Sequence, residues 1–202
     1  MDSSTIVVFT SSCGPDLVRD KGTLYDPGIA LPLAIRWPGR IPAGTEVDNL
    51  CSSTDFLPTI LETIESDAPF EMQGKSVATA MLGGQQSGPN DCVFGIHTDS
   101  RYVRTKDFKL IVNLTPTAQY ASPPVDMAHV PEKEPVPPFE LYNLKADPDE
   151  TVNIVTKPEH TQTVKTLRLK LAAWMEKVGD PILRKVCPTD YFKKAIATLM
   201  AK

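Results

Sequence analysis

The chain of 202 residues is 41% hydrophobic and has a formal net charge of −4, from 21 basic and 25 acidic residues. This hydrophobic share suffices for a buried core, so the composition excludes a disordered polypeptide. Because there is no run of Lys or Arg and no apolar stretch of about 18 residues, we expect neither a nucleic-acid partner nor a membrane span.

The amino terminus and the cysteines leave the cellular location open. Residues 1–4 (MDSS) lack the basic and apolar regions of a signal peptide, so no signal peptide is expected in this sequence. A fragment that has lost its original amino terminus has also lost any export signal there. The cysteines contain no CxxC pair, which argues against a structural zinc site and makes free thiols the default interpretation. They are Cys13, Cys51, Cys92 and Cys187.

Residues 5–10 (TIVVFT) form the first predicted element, a short β-branched run. Such a run is typical of a strand that is buried on both faces of a parallel sheet. Nothing before it supplies neighbouring strands, so we expect a sheet that has lost its earlier strands. Apolar surface left open on this remnant predicts that the isolated chain self-associates or aggregates, and that residues 1–85 are less stable than the remainder.

Two further elements and a linker follow the first strand. Alternation over residues 31–37 predicts a second strand. The apolar residues of 56–64 recur at four-residue steps and predict a helix, with Ser53 or Thr54 as its cap. Residues 83–90 are rich in Gly, Gln and Ser, which is a linker composition.

The sequence after the linker predicts a small antiparallel sheet. Strands are predicted at residues 92–97, 101–105 and 109–114, with Lys106-Asp107 as a hairpin turn. Residues 116–138 contain seven prolines and therefore predict a long surface loop.

A helix at about residues 157–178 is the clearest element of the sequence. Its apolar side chains fall on one face and predict packing on a sheet. They are Val164, Leu167, Leu171, Trp174 and Val178. Thr156 and Glu159 have the spacing of a capping box at the start, and Gly179 predicts the end.

The serial order of several motifs resembles the type I sulfatases. Residues 9–14 (FTSSCG) are similar to the family's F-T-S-D-(H or N)-G, and residues 21–28 (KGTLYDPG) to its K-G-x-x-Y-x-x-G. Further blocks follow in the family's order: PLAIRWPG at 32–39, SSTDFLPT at 52–59, QGKS at 73–76, and a closing signature from ELYNL at 140–144 to Asn153. The YDPG sequence, FKLIVNL at 108–114 and Trp174 before Gly179 favour the heparan N-sulfatase (sulfamidase) branch.

This resemblance implies an α/β fold of the alkaline-phosphatase-like type. On that basis residues 1–85 are the truncated end of the sulfatase α/β domain. Residues 91–185 are then a carboxyl-terminal subdomain of α+β type, with an antiparallel sheet and a long terminal helix, and 186–202 are a tail. The substrate implied for the ancestor is a sulfate ester or a sulfamate on a carbohydrate.

The resemblance also implies calcium and a formylglycine, which intact members make from a Cys or Ser in a C-x-P-S-R motif and whose hydrated aldehyde attacks sulfur. No such motif occurs in the sequence, so we expect no catalytic residue and no cofactor in this chain. The family's metal-binding Asp and its His or Asn correspond to Ser12 and Cys13. A hydroxyl and a thiol are poor ligands for calcium, and Asp16 and Asp20 are the local substitutes.

Two residues remain as candidates for substrate binding. The resemblance implies that Lys21 contacts a sulfate oxygen, and it follows a strand end, where ligand sites of open α/β sheets lie. A solvated surface cation is the alternative interpretation. His97 also follows a predicted strand and is the weaker candidate, since a lone His is more often structural. The remaining polar candidates are expected at the surface, and they are Arg101, Arg104, His129 and His160. Trp174 is expected in the core.

Three functions stay open at this point. The first is a truncated sulfatase that is inactive by itself, and the second is a non-catalytic module that binds an anionic glycan or a protein. The third is a half that complements a separate amino-terminal chain carrying the nucleophile. An adjacent reading frame with the C-x-P-S-R motif favours the third, and its absence favours the second.

Overall fold

The structure is a computed structural model that describes residues 4–15, 19–68, 70–84, 90–116, 136–184 and 189–201. The chain divides into two units. The first unit combines Met1–Ser11 with Pro32–Val93, and the second combines Ser12–Leu31 with Phe94–Lys202.

The strands in chain order are β1 (Val7–Thr10), β2 (Leu33–Arg36), β3 (Val93–His97), β4 (Ser100–Arg104), β5 (Phe108–Asn113) and β6 (Phe139–Asn143). The helices are α1 (Asp26–Ile29), α2 (Phe56–Thr63), α3 (Ala78–Met81), α4 (Thr161–Val178) and α5 (Asp190–Met200). Short 3-10 turns lie at Ser53–Asp55, Pro158–His160 and Pro181–Arg184. Across the ranges given above, no helix is both long and apolar enough to cross a membrane.

In the first unit, β1 and β2 form a two-stranded antiparallel sheet in which Phe9 lies opposite Ala34. The prediction of a strand buried in a parallel sheet is wrong for this chain. Burial on both faces requires neighbouring strands and covering layers. The described residues provide β2 alone as a partner strand, and Phe9 remains 65% exposed.

Helix α2 confirms the predicted helix but begins differently. Ser52, not Ser53 or Thr54, is the cap: its side chain and that of Asp55 form a capping box around the 3-10 turn. The Asp55 carboxylate accepts hydrogen bonds from the amides of Ser52 and Lys75, each at 2.7 Å. Pro58, Thr59 and Thr63 are the buried side of α2, whereas the apolar Leu57 is 47% exposed.

The second unit contains a four-stranded sheet in the order β3-β4-β5-β6. Strands β4 and β5 pair antiparallel with Tyr102 opposite Ile111, and β5 and β6 pair antiparallel with Leu110 opposite Leu141. The three predicted strands and the turn between β4 and β5 are confirmed within one or two residues. Strand β6 was not predicted. Of the predicted proline-rich loop, residues 117–135 lie outside the described residues.

Helix α4 contacts β4 and β5 and buries Leu167, Leu171 and Met175. Its predicted end is confirmed, because Gly179 has φ of 63°, a left-handed conformation that Gly adopts without steric cost. The predicted capping box is wrong: the helix is preceded by a 3-10 turn, and neither N-cap makes a side-chain hydrogen bond. Helix α5 was not predicted, and the Thr189 hydroxyl caps it by accepting from the Phe192 amide.

Candidate functional site

Ser12 and Cys13, at the family's metal-binding positions, lie side by side in the loop after β1. Ser12 is exposed, and its hydroxyl donates to the half-buried Cys13 thiol at 3.7 Å. This donor pair does not fit calcium, which takes hard and preferably anionic oxygens. Asp20 is buried beside the turn, and Asp16 lies outside the described residues. Within the described ranges there is no group of three or more His, Cys, Asp or Glu side chains that could hold a metal ion.

Lys21 lies on the same segment, in a tight turn. Its side chain is exposed, and its amide donates to the Pro15 carbonyl at 3.1 Å. The Thr23 amide closes the turn on the Asp20 carbonyl at 3.0 Å. Gly28 approaches so closely that a Cβ atom there would be 2.2 Å from that carbonyl oxygen. The backbone that carries Lys21 is therefore fixed, and the residue is exposed.

A buried ion network anchors this segment to the sheet. Lys109, on β5, is fully buried, and its ammonium lies 2.5 Å from the Asp26 carboxylate and 2.7 Å from that of Glu150. The same ammonium donates to the Leu24 carbonyl at 3.1 Å. Arg104, on β4, pairs with Asp26 at 2.9 Å. Two strands thus hold the start of α1 through side chains that are distant in sequence.

The pKa values of the two carboxylates in this network are shifted in opposite directions. Burial works against the ionised form of Asp26, but hydrogen bonds and charges from Arg104 and Lys109 hold its pKa below the ordinary value. For Glu150, burial outweighs the attraction of Lys109 and raises the pKa. Glu150 is fully buried in a left-handed conformation with φ of 55°, and it accepts a hydrogen bond from the Asp26 amide. Its backbone is held in this conformation by the contacts of its side chain.

A second buried network lies around Glu140 on β6. Its carboxylate accepts from the hydroxyls of Tyr25 at 2.9 Å and Tyr142 at 2.5 Å, and from the Asn113 amide at 2.6 Å. Burial and the charge of Glu140 raise the pKa of both tyrosines, so both hydroxyls stay protonated donors. The Arg19 guanidinium lies 3.7 Å from the centre of the Tyr25 ring. This cation–π contact is favourable and lies within the segment, between two of its own residues.

Arg101 and Arg104 are not free surface cations, and for Arg101 the prediction is wrong. Arg101 is 4% exposed and binds both oxygens of Asp180, at 2.6 and 2.8 Å. A planar guanidinium matches a carboxylate in this two-bond geometry, which satisfies both buried charges. Arg104 is partly buried and committed to Asp26.

His97 ends β3. Its Nε2 atom is buried and has no hydrogen-bond partner among the described residues, and burial lowers the pKa of the ring, so the neutral form is favoured. Trp174, which was predicted in the core, is only partly buried, and its ring stacks on that of Phe94 with 5.1 Å between the ring centroids. His160 is half-buried against the Phe108 ring, and His129 lies outside the described residues.

Sequence reasoning missed the roles of Lys109, Asp26 and Glu150. The sequence does contain a signal for a buried ion pair at Lys109, because Lys109 is the one charged residue in the apolar run FKLIVN. A lysine inside such a strand requires buried partners. The sequence does not say which carboxylates those are, since they come from separate loops.

Residues 17–122 match the family model described as N-sulphoglucosamine sulphohydrolase, C-terminal. The match covers more than half of the chain. The chain belongs to this sulfatase family. It corresponds to the carboxyl-terminal portion of a type I sulfatase, which confirms the resemblance drawn from its motifs.

Known sulfatases match most of this chain but far less of their own length. It is 30% identical to an ulvan-active sulfatase of Formosa agariphila, over 88% of this chain and 34% of that protein. It is 26% identical to the human N-sulphoglucosamine sulphohydrolase, over 93% of this chain and 44% of that protein. The chain therefore spans 34% and 44% of the lengths of these two relatives, which is less than half of each.

Solved structures of sulfatases share the fold. A protein solved in complex with its substrate D-glucosamine-2-N,6-O-disulfate matches with a TM-score of 0.67 and 27% identity, over 87% of this chain and 35% of that one. A 2-O GAG sulfatase matches in fold with a TM-score of 0.71 and 21% identity, over 92% of this chain and 39% of that one. The expected alkaline-phosphatase-like fold with a mixed helix and sheet architecture is confirmed.

Proposed function

We propose that this chain is the carboxyl-terminal part of a sulfatase that acts on sulfated carbohydrates, and that it is catalytically incompetent by itself. The observation that carries the proposal is the missing nucleophile, since Pro-Ser-Arg occurs nowhere in the sequence. Cys13, Cys51, Cys92 and Cys187 are followed by Gly-Pro-Asp, Ser-Ser-Thr, Val-Phe-Gly and Pro-Thr-Asp. Without the motif no formylglycine forms, and no activated oxygen is present to attack sulfur.

The metal positions support the same proposal. Ser12 and Cys13 offer a neutral hydroxyl and a thiol where calcium requires carboxylate or amide oxygens. We therefore infer that these 202 residues neither bind calcium nor form a formylglycine. In an intact sulfatase, the formylglycine supplies the aldehyde hydrate that attacks sulfur, and calcium supplies a positive charge near the sulfate. Both groups have to come from other polypeptide.

Lys21 is the residue that this chain contributes to substrate binding in the proposal. Its turn is fixed by the Asp20 carbonyl and by the buried contacts of Asp26, while its side chain is exposed. An exposed lysine on a fixed backbone suits a group that meets one sulfate oxygen as a point charge. His97 is the second and weaker candidate, because its neutral ring with an unpartnered nitrogen offers a hydrogen bond without charge.

The sulfated-carbohydrate class rests on the relatives. One solved relative is bound to D-glucosamine-2-N,6-O-disulfate, and another carries the name ulvan-active sulfatase. A free-standing anionic-glycan module is not favoured. The two arginines considered at the surface, Arg101 and Arg104, are paired with Asp180 and Asp26.

Turnover by the purified chain tests the proposal. We expect no hydrolysis of a sulfated aryl ester or of N-sulfoglucosamine above the level of a mock purification. Activity that follows the chain through every purification step would refute catalytic incompetence. The variant Lys21→Ala, compared with Lys145→Ala as a control at an exposed lysine of the second unit, would then show whether the family site is involved.

A further inference from the structure

Glu150 has fewer positive partners than the other carboxylate of the buried ion network. Its Oε1 atom lies 2.7 Å from the Lys109 ammonium, which is its one ion pair among the described residues. Asp26 contacts the same ammonium at 2.5 Å and also pairs with Arg104 at 2.9 Å. Two carboxylates therefore share one ammonium, and of the two it is Asp26 that has a second cation in direct contact.

The other groups that face Glu150 bond through a backbone atom or act at a distance. The Asp26 amide donates to its carboxylate, and the Arg19 guanidinium donates to its backbone carbonyl at 2.5 Å. The Glu150 amide donates to the Asp147 carbonyl at 3.1 Å. The Arg104 charge acts on Glu150 through space, because its guanidinium is bound to Asp26. The Glu150 carboxylate therefore depends on Lys109 for the compensation of its charge.

The position of Glu150 makes its ionised form costly. The residue is fully buried, and its φ of 55° is uncommon for a residue with a side chain. Burial and the nearby Asp26 carboxylate both disfavour ionised Glu150, and they outweigh the attraction of Lys109 and raise its pKa. Burial also disfavours ionised Asp26, but Arg104 and Lys109 lower the pKa of that carboxyl. As the pH falls, Glu150 therefore takes up a proton before Asp26 does.

We propose that Glu150 is a proton-linked switch that sets how firmly the buried network holds the segment carrying Lys21. When Glu150 has taken a proton from solvent, Lys109 pairs with Asp26, and the two buried carboxyls no longer repel each other. When Glu150 is ionised, both carboxylates compete for one ammonium at the start of α1. The segment is therefore held more firmly in a mildly acidic medium than in an alkaline one. The inference rests on the proposed function for the role of Lys21, and it adds regulation by pH to that site.

The direction of the pH effect follows from proton linkage. A carboxyl whose pKa is raised by folding contributes stability that is fully present below its ordinary value, 4.5 for Glu150. This stability is lost as the pH rises through the raised pKa of the folded chain. Asp26, whose pKa is lowered, contributes stability above its ordinary value of 3.8 and loses it at more acidic pH. The network is therefore most stable between these two transitions, with Asp26 ionised and Glu150 neutral.

A pH titration of the full chain tests the switch. Carbon-13 NMR of the glutamate carboxyls, assigned with Glu150→Gln, is expected to show a titration midpoint for Glu150 above the ordinary value of 4.5. Between about pH 5 and pH 8, the melting temperature of the wild type is expected to fall by about 2 °C or more relative to Glu150→Gln. Any constant cost of the amide cancels in this comparison. Over the same range, the exchange protection of the Thr23 amide, corrected for intrinsic rates, is expected to fall about threefold or more in the wild type alone.

Glu176→Gln, at an exposed glutamate on α4, is the matched control, and its melting temperature is expected to differ from that of the wild type by an amount that does not vary with pH. The switch is refuted if Glu150 titrates at or below 4.5, a measurement that needs no variant to fold. It is also refuted if the wild type and Glu150→Gln show the same pH dependence of melting and of Thr23 exchange. Neither result bears on the proposed function, which fails only if the chain alone turns over a sulfated substrate.

Discussion

Replacing Lys109 with Met removes the cation at the centre of the buried ion network while nearly preserving side-chain volume. Asp26 and the fully buried Glu150 then face each other without the ammonium that lies 2.5 and 2.7 Å from them. Removing one partner of a buried ion pair costs about 3–5 kcal/mol, because the remaining charge is left uncompensated. Since whole domains are stable by about 5–15 kcal/mol, this single change is expected to destabilise the second unit severely.

The assay is urea unfolding followed by Trp174 fluorescence in a Trp37→Phe background. Trp37 belongs to the first unit and Trp174 to the second, so the signal reports the unit that contains Lys109. Lys145→Met is the control, since its pair with Asp107 is largely exposed and is worth about 0–1 kcal/mol.

Adding Glu150→Gln to Lys109→Met tests the mechanism. It removes the stranded buried charge, and the amide oxygen still accepts from the Asp26 amide. We expect the double variant to recover a large part of the loss, as removal of both partners of a buried pair commonly does. If Lys109→Met loses no more stability than Lys145→Met, the network does not anchor the segment and the reasoning is wrong.

Three further predictions concern the second unit. Asp180→Asn strands the buried Arg101 and is expected to cost about 3–5 kcal/mol at pH 7. Burial disfavours the ionised form of Asp180, but hydrogen bonds from Arg101 and the Ile182 amide lower its pKa in the folded chain. The stability that this carboxylate contributes is therefore present above about pH 4 and is lost as the pH falls through the lower pKa of the folded state. The unfolding curves of the wild type and of Asp180→Asn should converge in acid. Gly28→Ala forces Cβ against the Asp20 carbonyl and should cost about 1–3 kcal/mol in urea unfolding, and wild-type stability would contradict it. Millimolar calcium should leave the melting temperature unchanged, and a rise of several degrees reversed by chelator would show a site that Ser12 and Cys13 do not explain.

The sequence predicted those elements whose signals are local. Strands β3, β4 and β5 are predicted by their short apolar runs and by the turn at Lys106-Asp107, which separates β4 from β5. Helix α4 is predicted by its apolar stripe, which ends at Gly179. Helix α5 carries comparable signals, a Thr189 cap and apolar residues at three- and four-residue steps, so the prediction of a tail at residues 186–202 leaves a local signal unused. Strand β6 was missed because five residues after a proline-rich stretch were recognised as a family motif and not as a strand.

The candidate site was predictable only in part, because its geometry depends on long-range contacts. Periodicity places Lys109 on a strand, but its burial depends on Asp26 and Glu150, which no local pattern connects to it. Arg101 was expected at the surface for the same reason, since its partner Asp180 lies beyond the end of α4. Strand β1 shows the converse: its apolar pattern indicates burial, and Val8 and Phe9 are exposed among the described residues.

Three of the motifs that resemble those of the family contribute to one buried network of the second unit. Asp26 comes from the YDPG motif, Lys109 from the FKLIVNL strand and Glu150 from the closing signature, and the three side chains meet in one buried network. Ser12 and Cys13, at the metal positions, depart from the family pattern, while every charge of that network is present. Family membership here follows from the match over residues 17–122, which includes Asp26 and Lys109 but not Glu150. Activity has to be argued separately, from the nucleophile and the metal ligands.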